Sequence, residues 1–130
     1  MSAADAFPAE LLRDILNHVA QPIFVKDREC RFVLVNQALC QIVRLHEHEL
    51  LGKTDYDFFP REQADFFREK DLATLAGERV YVEEELLTDS TGAVHVLAHG
   101  AAMAGDGGPR SRDVVRFLAW RRARRRTRSA

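Results

Sequence analysis

Histidines, cysteines and a run of acids are where chemistry would be sought first in this chain. His46 and His48 stand two positions apart in a helical stretch. Residues i and i+2 face different ways on a helix, so this spacing does not chelate one metal ion. His95 and His99 share a strand parity with Leu97 between them, and they either bond a ligand carboxylate or face solvent. Cys30 and Cys40 form no Cys-x-x-Cys pair and sit where a small apolar residue would serve equally, which argues for free thiols rather than a disulfide or metal ligands. Glu83, Glu84 and Glu85 read as a strand edge facing water. No nucleophile, base and orienting group stand in an arrangement that defines a reaction, and no glycine-rich loop is placed to cradle a phosphate. The expectation is a binding protein with no catalytic residue and no metal, not an enzyme.

Charge is unevenly distributed. Positions 1–109 carry ten basic and nineteen acidic residues, a net of -9, whereas nine arginines and one acid, Asp113, follow from Arg110 onward. An arginine run can bind nucleic acid or an acidic membrane surface by counterion release. From Trp120 onward no second aromatic is interleaved for base stacking, so a solvated terminal extension is expected and nucleic acid is not the expected partner. A chain of 130 residues that is 46% hydrophobic has material for one core. Its apolar runs are a few residues long, far short of the roughly 20 that cross a bilayer, and the N-terminus lacks a basic segment followed by an apolar one. A cytoplasmic location is expected.

Any such site must be positioned by the elements that periodicity predicts. Residues 7–19 place Leu11, Leu12, Ile15, Leu16 and Val19 on one stripe of an amphipathic helix that starts near Pro8 and stops before Pro22. Residues 23–26 and 30–35 read as a hairpin across Asp27, Arg28 and Glu29, with Phe32 and Leu34 on one face and Val33 and Val35 on the other. Two apolar faces suit a central strand. Asn36 caps a helix over 36–43, residues 46–51 form a second ended by Gly52, and Thr54 or Asp55 caps a third turn. Residues 61–76 form the long helix, with Ala64, Phe67, Asp71, Leu72 and Leu75 near one face. Strands at 80–88 and 93–98 flank the turn Asp89, Ser90, Thr91 and Gly92, and a weaker strand follows at 113–120.

That order, together with Val25, Lys26 and Asp27, the run RFVLVN at 31–36, and LLGKTD at 50–55 with Phe58, Phe59 and Pro60, resembles the PAS domain family of bacterial sensors over residues 11–104. The resemblance implies an α+β fold: a five-stranded antiparallel sheet with short helices on one face and an N-terminal amphipathic helix. Its divisions would be a flanking helix at 1–20, the PAS domain at 21–120 and an arginine-rich, disordered tail at 121–130. The end departs from the family pattern. Arg116, Phe117, Leu118, Ala119 and Trp120, followed by arginines, stand where an Asp-Ile-Thr-like exit motif leads into an output helix.

The implied function is a sensory and signal-transduction module that binds a small molecule or a partner and passes the signal through dimerisation and its flanking helix, within a histidine kinase, cyclase or transcription-regulator system. The alternatives are a ligand-free dimerisation module and a nucleic-acid tether acting through the arginines. Leu11, Leu12, Ile15, Leu16 and Val19 are the dimer-helix candidates, with a homodimer and a signalling effector as partners. The pocket candidates are Asn36, Cys40, Phe58, Phe67, Tyr81, His95 and Leu97, each also readable as a cap or core residue. No cofactor is identified. A flavin adduct would need a cysteine in the turn after Gly52, where Thr54, Asp55 and Tyr56 stand, and a heme would need a histidine in residues 61–77, which hold none.

Overall fold

In the computed structural model, which describes residues 8–103 and 117–125, two hairpins are joined side by side by the strand that comes last in sequence. Strands β1 (Ile23–Lys26) and β2 (Phe32–Val35) form the first hairpin, and β3 (Val80–Thr88) and β4 (Val94–Met103) the second. Strand β5 (Phe117–Arg125) lies between β1 and β4, antiparallel to both, so the order is β2-β1-β5-β4-β3. The helical elements are α1 (Ala9–Asn17), α2 (Gln37–Val43), α3 (Glu47–Leu50), a 3-10 turn at Asp55–Asp57 and α4 (Arg61–Leu75). The fold is α+β, as the residue pattern implies.

Side chains of the connections fix these elements locally. Asp27 closes the first hairpin by accepting from the Glu29 and Arg31 amides at 2.9 and 3.0 Å and from Arg31 Nε at 2.9 Å. Asp89 does the same in the second, accepting from the Thr91 and Ala93 amides, from Thr91 Oγ1, and from His95 Nε2. Gly77, at φ +96°, ends α4: its own amide bonds the Thr74 carbonyl and the Glu78 amide reaches the Ala73 carbonyl, a left-handed cap that costs glycine little. The core between the layers is built from Phe24, Phe32, Val35, Leu39, Val43, Leu50, Phe59, Phe67, Leu87 and Leu97.

Several expectations are corrected. β2 is an edge strand rather than a central one. A register shift between Val25 and Lys26 pairs Val25 with Leu34 but Lys26 with Phe32, so Val33 is bulged outward and both Phe32 and Val35 are buried. A bulge breaks the two-residue period on which the face assignment depended. A second shift in β3, between Val82 and Glu85, buries Glu85 at 4% exposure, so this acid does not face water. On α4 the inward stripe is Ala64, Phe67, Asp71 and Thr74; Leu72 is 53% exposed, because one step along a helix turns it about 100° from Asp71. The final strand starts at Phe117 and runs to Arg125, through five residues assigned to the tail. β4 continues to Met103 and supplies ladder partners for them: His99 for Arg121, Ala98 for Arg122, Leu97 for Ala123, Val96 for Arg124 and His95 for Arg125. Residues 113–116 and 126–130 lie outside the described residues.

Candidate functional site

Two linked arrangements stand out: a charged cluster inside the core, and a polar hub that ties α1 to it. At the end of β1, Lys26 is fully buried, with Nζ 2.5 Å from Asp55 Oδ2 and 2.6 Å from Asp71 Oδ2. The ammonium also lies 5.0 and 4.8 Å from the ring centroids of Phe24 and Phe32, where the ring faces attract a cation. Burial alone would lower the lysine pKa, but the two carboxylates and their hydrogen bonds outweigh it and raise it. The cluster therefore ties β1 to the 3-10 turn and to α4 through charge. Beside it, burial pushes the Cys30 thiol up to about 11, with the Asp71 carboxylate adding to the shift, which leaves it protonated and unreactive at neutral pH.

A cavity of about 10 Å³ lies among Phe24, Phe32, Leu39, Leu50, Asp55 and Phe59. That matches the ~10–15 Å³ that one water requires. Asp55 Oδ1, buried and without a hydrogen-bond partner among the described residues, is the acceptor this space offers. None of the seven expected pocket residues lines it. Phe67 and Leu97 belong to the packed core and Phe58 packs against it, while Cys40 is half-buried. Tyr81 is 70% exposed on edge strand β3, which removes it from any interior pocket. His95 is held at 2.8 Å by Asp89 and does not simply face solvent. The rings of His46 and His48 do not point apart: they stack at 5.5 Å, because His46 is the extended cap preceding α3 and not part of the helix.

Asn36 is the hub. It is 1% exposed; Oδ1 accepts from the Ile23 and Leu39 amides at 2.9 and 3.1 Å, and Nδ2 donates to the Leu16 and Gln21 carbonyls at 3.0 and 2.8 Å. One side chain thus caps α2, starts β1 and holds the end of α1. Asn17 adds a bond to the Gln37 amide, and Arg13 pairs with Glu47. Although anchored at these polar points, α1 has no buried residue, and Leu11, Leu12 and Ile15 are 44%, 45% and 47% exposed.

Sequence reasoning placed Asp71 near the inward face of α4 and Asp55 at a cap but did not bring them together with Lys26. The available signal was a lysine closing the apolar run IFVK and an acid on the buried stripe of a helix, each of which demands a partner of opposite charge.

The molecule is thus an antiparallel five-stranded sheet with helices packed against it around one small core space. A family model described as the PAS fold matches residues 16–114, and the chain belongs to the PAS family. The uncharacterized protein y4lL of Sinorhizobium fredii (strain NBRC 101917 / NGR234) is 45% identical over 73 residues, which cover 55% of this chain and 9% of that protein. Methanogenesis regulatory histidine kinase FilI of Methanothrix harundinacea (strain 6Ac) is 38% identical over 73 residues, covering 56% of this chain and 8% of the kinase. The chain thus spans only a small part of the curated relatives it matches. The crystal structure of the PAS domain of an HTR-like protein from Haloarcula marismortui superposes with a TM-score of 0.69 at 22% identity, covering 88% of this chain and 90% of the other. Among the described residues no helix is long and apolar enough to cross a membrane.

Proposed function

We propose that this PAS domain is the signal-transduction module of a two-component or similar regulatory system, and that it passes its signal by dimerising through α1. The observation that carries this reading is the apolar stripe of α1: Leu11, Leu12 and Ile15 remain exposed on a helix whose polar contacts hold it in place. An anchored helix with an uncovered apolar face is suited to a second copy of itself. Changes at the core reach that helix through Asn36, which bonds β1, α2 and α1 at once. The similarity to a regulatory histidine kinase supports the class of output.

Of the two kinds of input, a partner protein is favoured over a resident small molecule by the roughly one-water size of the space beside Asp55. A larger ligand there would have to displace Phe59 or Phe32 from the core. Light scattering on the intact chain tests the dimer: the wild type is expected to have twice the mass of a Leu11→Ser, Leu12→Ser, Ile15→Ser variant whose circular dichroism is unchanged. Equal masses would remove α1 as the dimer surface. Native mass spectrometry is expected to show no retained organic molecule, and a stoichiometric adduct would restore the ligand reading.

A further inference from the structure

The β1–β2 hairpin is apolar on both faces. Phe24, Phe32 and Val35 are buried against the helices, so Ile23 and Val25, and Leu34 opposite Val25, stand on the other face. Val33, bulged outward and exposed, extends that apolar surface. A sheet buries an apolar face against a second layer. Among the described residues, α2, α3 and α4 pack on the inner face, where they give Leu39, Val43, Leu50 and Phe67 to the core. The complementary case is α1, an amphipathic helix whose stripe is uncovered. It does not close on its own outer face, because three attachments hold it beside the inner helices. Asn36 bonds the Leu16 carbonyl, Asn17 bonds the Gln37 amide at the start of α2, and Arg13 pairs with Glu47 at the start of α3.

We infer that the stripe of Leu11, Leu12 and Ile15 docks on the outer face of the β1–β2 hairpin of a second copy, over Ile23, Val25 and Leu34. This rests on the dimer proposed above and names the surface that α1 meets. Area favours that surface over a second α1. At ~25 cal/mol per Å² and at most ~3 kcal/mol for a whole side chain, three half-exposed ones offer about 200 Å², so two stripes that meet bury about 400 Å². Stable interfaces need roughly 1,200 Å² or more. Seating each α1 on the other copy's hairpin makes the contact twice, which doubles the apolar area before the polar rim is counted. The lengths also agree. A helix of 9 residues is about 13.5 Å long, and the 4 residues of β1 span about 13 Å.

The test mixes two variants of the full chain, Ile15→Cys and Val25→Cys, each also carrying Cys40→Ser, under mild oxidation. Cys30 is buried and stays protonated, so it does not compete. The mixture is expected to give a covalent dimer whose disulfide joins the two introduced thiols, identified by peptide mass spectrometry. Its yield should exceed that of either variant alone by about tenfold, because docking raises the effective concentration of the pair. Efficient bridging of Ile15→Cys to itself, with no mixed product, would overturn this inference while keeping a dimer through α1. A monomer by light scattering, with neither product above a urea-unfolded control, would overturn both. A second variant, Val25→Thr with Leu34→Thr, leaves the inward residues in place and keeps residue types that strands tolerate. It is expected to weaken dimerisation about tenfold with unchanged circular dichroism, and an unweakened dimer would rule out the hairpin as the docking surface.

Discussion

Lys26 has the clearest energetic consequences of any single side chain here. With both carboxylates within 2.6 Å and the lysine fully buried, Lys26→Met would leave Asp55 and Asp71 as adjacent acids in an apolar core. Removing one partner from a buried ion pair costs about 3–5 kcal/mol, and the loss is measurable as a lower urea midpoint at neutral pH. The same residue gives an alkaline limb. Its folded pKa is raised above the ordinary value of 10.5, so its contribution is complete below that value and is lost as pH climbs through the folded one. Asp89 works in the opposite sense. Burial would raise its pKa, but the hydrogen bonds from Thr91, His95 and the Thr91 and Ala93 amides hold it well below the ordinary 3.8. Its stabilisation is therefore present above 3.8 and disappears as pH falls toward the folded value. Asp89→Ala should cost about 1.5–3 kcal/mol at pH 7, with the difference from wild type narrowing in acid denaturation curves taken below pH 3.8.

At the scale of elements, the question is what couples α1 to the rest. Asn36→Asp is the discriminating change, because it keeps the one oxygen that accepts from the Ile23 and Leu39 amides but replaces the donor facing the Leu16 and Gln21 carbonyls with an oxygen. Oxygen facing oxygen is repulsive, and a buried acceptor left unpaired costs about 1–3 kcal/mol. Amide hydrogen exchange is expected to accelerate over α1 and to change little over α2, whose cap is retained. Uniform acceleration across both helices, or none in α1, would show that Asn36 is a general core residue and not the link. Helix starts and stops were legible for local reasons: Asn36 and Gly52 act on the backbone within a few residues of themselves. The facing of the strands was not. Val33 was placed by alternation and Glu85 by its charge, as one of three acids on a strand edge, and the shifts in β1–β2 and β3–β4 pairing change the period part-way along each hairpin.

For the whole molecule, the sequence by itself determined the α+β class, the order of elements, the family and the apolar stripe of α1. The class, the order and the stripe rest on periodicity and turn chemistry, which a stretch of chain carries within itself; the family rests on the resemblance carried by runs such as RFVLVN at 31–36 and LLGKTD at 50–55. Only the tertiary structure decided that β5 enters the middle of the sheet, pairing Phe117 with both Lys26 and Met103. It also decided that arginines lie inside a strand, that Lys26, Asp55 and Asp71 share one buried position, and that Tyr81 stands exposed while Phe67 and Leu97 join one core. Those outcomes depend on which distant groups compete for the same ladder partner or the same counter-charge. A local pattern holds no record of that competition, because the pairing energy exists only once the remote segments have met.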